Sequence, residues 1–316
     1  MHVTVKTPSR IHLGILDLNG SLGRLYGSIG IGLDYPNVIL EAKKSKKIEV
    51  SGKNKVLVKD LAERFLDYYN IQSGVTINVT DAIPEHVGLG SGTQLALAVG
   101  TAISKLYNIS AKTREISQIL ARGKISGIGT AIFDHGGFVI DTGHMMGDNN
   151  VPEVMFHYPF PNDWHFIIVI PKISRGISGK KEYFIIKKLI PSSEITASKI
   201  CRLVLLQMLP SLIEKDIIGF GKSLTSVDCL VGSYFMKVQL GLYKDKILEN
   251  IINFLIKNGS YGVGQSSWGP VIYGLTTKDE SAELEDSIRD FMRKNKINGN
   301  VSVSKPRNRG AEIKIF

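Results

Sequence analysis

The sequence predicts two domains, each mixing helices with strands as an α+β or α/β unit. Three observations carry this. Stretches with strand-like alternation give way repeatedly to stretches with helical apolar spacing, no block of sequence repeats, and two prolines fall within five residues at Tyr158-Pro159-Phe160-Pro161-Asn162. The break near mid-chain divides the 316 residues into domains of 1–160 and 161–316.

From His2 to Val50 the chain reads as short strands separated by Gly-rich turns. Asp60 to Tyr69 sets Leu61, Phe65, Leu66 and Tyr69 on one side of a helix. Val75 to Val79 alternates as a strand and runs into Asp81-Ala82-Ile83-Pro84. A loop, Gly88-Leu89-Gly90-Ser91-Gly92, then opens an Ala- and Leu-rich helix from Thr93 to Tyr107. A second glycine group spans Gly123 to Gly129, and Phe138 to Ile140 is a strand. Beyond the prolines, Phe166 to Ile170 is continuously apolar and mostly β-branched, the mark of a buried strand. Helical patterns cover Ile195 to Leu209 and Ile247 to Lys257. A strand at Val271 to Leu275, a helix at Ala282 to Arg293 and a closing strand at Ala311 to Ile315 follow. Topology does not follow from this order.

A chain that is 43% hydrophobic and 22% charged can bury a sizeable core, which excludes disorder and collagen. Its two cysteines, Cys201 and Cys229, form no C-x-x-C pair, so a disulfide scaffold and a Cys-built zinc site are excluded as well. The formal charge of +10 fits a nucleic acid, a membrane surface or a phosphorylated small substrate. Basic residues concentrate at Lys43–Lys59 and Arg289–Arg309, and the first of these reads as a solvated strand face. No apolar run approaches the ~20 residues that cross a bilayer. Met1 to Val5 alternates like a strand and lacks the apolar block of a signal peptide. The expectation is a cytoplasmic protein with neither a membrane nor a nucleic acid as its partner.

The Gly88–Gly92 loop is the most informative local feature. Alternating glycines let backbone N–H groups approach an anion, and the following helix N-terminus adds roughly half a positive charge. Ser91 and Thr93 place hydroxyls there, so Gly88, Gly90, Ser91, Gly92 and Thr93 form a candidate phosphate site. An ordinary turn before a helix is the competing reading. G-x-x-x-x-G-K-[ST], G-x-G-x-x-G and G-x-S-x-G are all absent, which removes the P-loop, the dinucleotide fingerprint and the hydrolase elbow. The seven histidines include no H-E-x-x-H. His86 stands two residues before the loop, where an imidazole could do acid–base work or simply bond backbone.

The segment Ile83-Pro84-Glu85-His86-Val87-Gly88-Leu89-Gly90-Ser91-Gly92 resembles the P-x-x-x-G-L-G-S-S loop of the GHMP kinase superfamily. Further blocks narrow the likeness: Pro8 to Gly14, Gly23 to Ser28, the extension G-L-G-S-G-T-Q, Ser126 to Ala131 with Gly136-Gly137-Phe138, and Gly264-Gln265-Ser266-Ser267-Trp268-Gly269-Pro270. Together they resemble the archaeal beta-ribofuranosylaminobenzene 5'-phosphate synthases over nearly the whole chain. The resemblance implies an α+β, GHMP-kinase-like fold with an N-terminal βαβ domain and a ferredoxin-like C-terminal domain. It implies a pentosyltransferase of tetrahydromethanopterin biosynthesis. Such an enzyme joins the ribose 5-phosphate of phosphoribosyl pyrophosphate to a para-substituted benzoate, 4-hydroxybenzoate or 4-aminobenzoate, and releases CO2 and pyrophosphate. It also implies a homodimer.

Two departures set the chain apart from the kinases it resembles. Gly92 stands where they carry a second Ser, and Thr130 where many carry a catalytic Asp. An ATP-dependent small-molecule kinase is therefore the second reading, and a basic nucleic-acid-binding protein the third. For the implied reaction, Mg2+ would accompany the pyrophosphate donor at the Gly88 loop. Arg24 and Lys124 lie in Gly-rich blocks where they could reach phosphate or carboxylate, and are otherwise surface charges. His86, or else Asp17, would take the para-hydroxyl proton, although Asp17 could equally be a turn residue before Asn19-Gly20. Gln265, Ser266 and Ser267 are the candidate substrate-binding residues. Their segment is expected to fold back on the Gly88 loop and share a cleft with it, against the alternative of a surface hairpin with Trp268 in the core.

Overall fold

The computed structural model describes residues 1–148, 150–174, 189, 191–239, 241–243 and 245–316. The first half contains β1 (His2–Lys6), β2 (Ser9–Asp17), β3 (Arg24–Leu33), β4 (Ile39–Ser45), β5 (Glu49–Gly52), α1 (Lys55–Tyr68) and β6 (Gly74–Asp81). It continues with α2 (Ser91–Leu106), α3 (Thr113–Ile119), α4 (Ile128–His135), β7 (Phe138–Asp141), β8 (His144–Met145) and β9 (Val154–Tyr158). β5 and β6 are parallel neighbours joined by α1, the βαβ unit that the resemblance implies. α1 buries Val58, Leu61, Ala62, Phe65 and Leu66, the one-sided spacing of a surface helix. α2 instead buries twelve residues, from Gln94 to Leu106, on all of its sides. A helix apolar all round belongs at the centre of a core, and α2 packs there against α1, α3, α4, β1 and β4. A second sheet, in the order β2-β3-β7-β9, completes this half.

The second half contains β10 (Trp164–Pro171), α5 (Glu194–Leu203), a π-helical turn (Val204–Met208), α6 (Leu209–Glu214), α7 (Ile217–Gln239) and α8 (Lys246–Lys257). Then come β11 (Gly262–Gln265), β12 (Ile272–Thr277), α9 (Ser281–Lys294), β13 (Gly299–Ser304) and β14 (Glu312–Ile315). The strands β11-β12-β10-β13 pair antiparallel. Strand, helices, two strands, helix, strand along the chain, with the first and last strands side by side in the sheet, is the ferredoxin-like arrangement. α8 and α9 cover the sheet with Leu248, Ile251, Ile252, Leu255, Leu284 and Ile288.

Three expectations are corrected. The final strand β14 does not close the second domain; it pairs with β1, and Arg307 bridges to Asp34 at 2.8 Å. The 161–316 domain therefore ends near β13, because the edge of β1 needs a partner and the returning chain supplies it. The helix read as Ile195–Leu209 runs on through the π turn to Glu214. That gives 21 residues, long and apolar enough by length and composition to cross a membrane, against the expectation that no such run exists. Ala197, Ile200, Val204, Met208 and Leu212 of this run are buried in the protein. Finally, the 23-residue α7 escaped the sequence reading, as did α3 and α4. Gly219, Gly221 and Gly232 dilute its helical signal, yet Gly221 is required there: a Cβ would overlap the carbonyl of Tyr261 beside β11.

One apolar core runs through both halves. The expected boundary residue Phe160 is 1% exposed, and its ring lies 5.4 Å from Trp164, 5.6 Å from Phe166 and 5.4 Å from Phe220 of α7. Phe160→Ala is expected to cost about 3–5 kcal/mol of stability, read as a lowered midpoint in guanidinium denaturation. A change under about 1 kcal/mol would show that the proline-flanked segment is no part of the core.

Candidate active site

The two halves meet at one serine. Ser266, in the loop after β11, is fully buried; its Oγ donates to the Gly88 carbonyl (2.6 Å) and accepts from the His12 N–H of β2 (2.9 Å). Val271 N–H donates to the Val87 carbonyl (3.0 Å), and Arg10 donates to the same Gly88 carbonyl through Nη1 (2.9 Å). A Cβ on Gly88, whose φ is +102°, would overlap the Ser266 carbonyl oxygen. The 264–270 segment thus folds back onto the Gly88 loop as expected, and Trp268 does both things asked of it. Trp268 is 7% exposed, packs 4.7 Å from Phe235, and still forms part of a cavity wall.

That cavity, of about 710 Å³, lies beside the junction. One side is basic: Arg10, Arg64, Arg122 and Lys124 line it with Thr93 and Ser126. The glycines of the loop face these arginines. A Cβ on Gly90 would sit 2.9 Å from Arg10 Cγ, and one on Gly92 3.1 Å from an Arg122 guanidinium nitrogen. α2 starts at Ser91 with Gly90 as its left-handed cap, so two guanidinium groups stand at the positive end of a helix. Arg122 Nε has no hydrogen-bond partner among the described residues, and burial together with the neighbouring Arg64 lowers the Arg122 pKa. An anion would relieve all of this at once. Behind the lining residue Ser126, buried Asp141 accepts from the N–H groups of Ser28, Gly127 and Gly143 at 2.8, 2.6 and 2.9 Å.

The other side is apolar and aromatic, formed by Leu13, Val231, Phe235, Leu242, Tyr243 and Trp268. Within it stands one carboxyl group, Asp228 of α7. Its Oδ1 accepts the Gln265 N–H at 2.9 Å. Burial pushes its pKa up to about 7, against the lowering effect of that N–H and of Tyr243. His12 also lines the cavity; burial, then the Arg10 charge, bring its pKa down to about 3, so its imidazole is neutral.

The residues expected from sequence divide sharply. Thr93, Lys124, Gln265 and Ser267 line the cavity, and Ser266 builds the junction beneath it. Gly88, Gly90 and Gly92 shape the wall by leaving room for Ser266 and the two arginines, while Ser91 opens α2. His86, Asp17 and Arg24 lie outside the lining. His86 is exposed, with φ +58°. Asp17 accepts the N–H groups of Asn19 (2.5 Å) and Gly20 (3.0 Å), which makes it the turn residue of its alternative reading. Arg24 is exposed and donates to the Thr142 carbonyl at 3.0 Å. Sequence reasoning missed Arg64, Arg122 and Asp228. It quoted Arg10 inside a motif without a role. Asp228 was out of reach because α7 was not recognised, although Asp228, Val231, Gly232 and Phe235 have the i, i+3, i+4, i+7 spacing of one helix face. Thr130, at the kinase Asp position, is 3% exposed and hydrogen-bonded to Ser117 (3.0 Å), away from the cavity.

Residues 56–139 match the GHMP kinases N terminal domain, and residues 208–294 match the GHMP kinases C terminal family. The chain is 37% identical to the beta-ribofuranosylphenol 5'-phosphate synthase of Methanocaldococcus jannaschii over 98% of this chain and 99% of that one. It is 35% identical to the protein of the same name from Archaeoglobus fulgidus, with the same coverage. Among solved structures, the Methanococcus jannaschii mevalonate kinase superposes with a TM-score of 0.70 at 18% identity, covering 98% of this chain and 99% of that one. This last likeness is one of fold.

His12 gives the site a pH signature. Its folded pKa of about 3 lies below the ordinary 6.5, so the unfolded chain binds the extra proton between those values. Stability from this group is complete above pH 6.5 and falls as the pH drops toward 3. Wild-type protein is expected to lose on the order of 2–3 kcal/mol more than His12→Gln between pH 6.5 and 4, measured by denaturant titration. Equal losses would contradict the buried neutral imidazole.

Proposed function

The chain belongs to the beta-ribofuranosylphenol 5'-phosphate synthases of the GHMP kinase superfamily, and on that premise we propose a reaction for the cavity described above. The enzyme joins the ribose 5-phosphate of phosphoribosyl pyrophosphate to the ring carbon of 4-hydroxybenzoate that bears the carboxylate, with loss of CO2 and pyrophosphate. The relatives' name carries a phenol, which supports the hydroxy acceptor over 4-aminobenzoate. The observation that carries the reading is the division of one cavity into a basic side and an aromatic side. A doubly phosphorylated sugar fits the first and a benzene ring the second.

Arg10, Arg122 and Lys124, at the N-terminus of α2, hold the donor's phosphate oxygens and neutralise the departing pyrophosphate. As the C1–oxygen bond of the ribose lengthens, positive charge develops at C1. The aromatic wall formed by Phe235 and Trp268 keeps water from that centre and presents the ring face to it. The ring carbon attacks C1, the bond to the carboxylate then breaks, and its electron pair restores the aromatic ring. Among the described residues no group of three or more His, Cys, Asp or Glu could hold a metal ion. A magnesium ion accompanying the donor would sit beside the Thr93 and Ser126 hydroxyls of the lining and would supply further charge neutralisation for the departing pyrophosphate.

Kinase chemistry is not supported by this site, since the positions that would carry the second Ser and the Asp hold Gly92 and a satisfied Thr130. Purified protein with phosphoribosyl pyrophosphate, Mg2+ and 4-hydroxybenzoate is expected to release CO2 and pyrophosphate in equal amounts, and ATP should support no turnover. Arg122→Ala should raise KM for the donor at least tenfold, about 1.4 kcal/mol of lost binding. ATP-dependent phosphorylation in place of CO2 release would sink the reading.

A further inference from the structure

We infer that Asp228 is the general base of the reaction, taking the proton of the acceptor's para-hydroxyl group as the ring attacks the sugar. The inference rests on the reaction proposed above and adds a residue and a substrate orientation to it. Asp228 is 8% exposed and lines the cavity. Its Oδ1 is used by the Gln265 N–H; Oδ2 lies within hydrogen-bond distance of no described donor, although the Tyr243 hydroxyl stands near enough to lower the carboxyl's pKa. Buried carboxylate oxygens are normally saturated, as Asp141 is by three backbone amides, because an unpaired one loses its hydration without return. An open oxygen in a substrate-sized cavity asks for a donor from the ligand.

The orientation follows from charge. With its hydroxyl on Asp228, the benzoate ring lies along Phe235 and Trp268 and its carboxylate points toward the arginines. Reversed, it would set carboxylate against buried carboxylate. The titratable groups around Asp228 are the Tyr243 and Tyr273 hydroxyls and the Cys229 thiol, and burial raises the pKa of all three, so they face it uncharged. Burial likewise holds Asp228 up to about 7, basic enough to receive a phenol proton and about half ionised at neutrality.

The step balances without an outside reagent. The phenolic O–H bond breaks and its proton moves to Oδ2. Electron density passes into the ring, the ring carbon bonds to C1 of the ribose, and the C1–pyrophosphate bond breaks. Loss of CO2 restores aromaticity, and Asp228 returns the proton to the oxygen.

Asp228→Asn retains an acceptor oxygen for the Gln265 N–H and removes the base. With 4-hydroxybenzoate at pH 7 its kcat is expected to fall at least 100-fold, with KM for the donor within twofold and pyrophosphate binding by calorimetry unchanged. The wild-type rate should rise through a limb near pH 7. The variant should lack that limb and recover most of its deficit at roughly pH 9–10, where the acceptor is already a phenolate. A variant within threefold of wild type at pH 7, a deficit equal at every pH, or loss of pyrophosphate binding would each overturn the assignment. A wild-type enzyme that releases no CO2 fails at the earlier step and overturns the reaction itself.

Discussion

Everything the cavity does depends on one buried hydroxyl. Ser266 Oγ answers the His12 N–H and the Gly88 carbonyl together, which fixes a loop of the ferredoxin-like half against a strand and a glycine turn of the other half. Hydrogen bonds of this kind contribute about 1 kcal/mol each, but a buried group left without one costs more, so the junction is defined by what its loss would expose. The glycine at position 88 is part of the same constraint, since no side chain fits between that turn and the Ser266 carbonyl. Once the junction is set, β2, α2, α7 and β11 surround a single space.

The chemistry within that space follows from how its walls differ. Guanidinium groups over a helix N-terminus create strong positive potential where charge must leave with pyrophosphate. Aromatic and aliphatic side chains a short way off exclude the water that would intercept an electrophilic sugar. In its kinase relations the same fold moves a phosphoryl group. Here Gly92 leaves room for Arg122 and Thr130 is hydrogen-bonded to Ser117, an arrangement that in the proposed reaction would hold phosphate as a leaving group.

The sequence displayed the parts of this site that are written in glycine and missed those written in arginine. Spacing of Gly88, Gly90 and Gly92 located a tight loop and the helix it opens, because φ > 0 and close approach restrict residue type. It could not show that guanidinium groups fill the space those glycines leave, since Arg10, Arg64 and Arg122 converge only in three dimensions. His86 and Asp17 were drawn in by proximity along the chain; one is at the surface and the other closes a turn. Asp228 went unread because the glycines that let α7 pack tightly also mask its helical periodicity. The ferredoxin-like and βαβ units were legible through resemblance, whereas the return of β14 had no local signal, as strand partners are chosen by edges and not by neighbours in sequence.

That return has a consequence for how the molecule is made. His2 and Phe316 exchange both of their backbone hydrogen bonds, at 2.9 and 2.8 Å, so β1 gains its second neighbour only when a strand some three hundred residues away is in place. The entropic cost of such a closure grows only slowly with length, but pairing at so great a sequence separation is slow to search. β14 thus ties the sheet of the first half to the far side of the ferredoxin-like half, and loosening either would open an edge of β1.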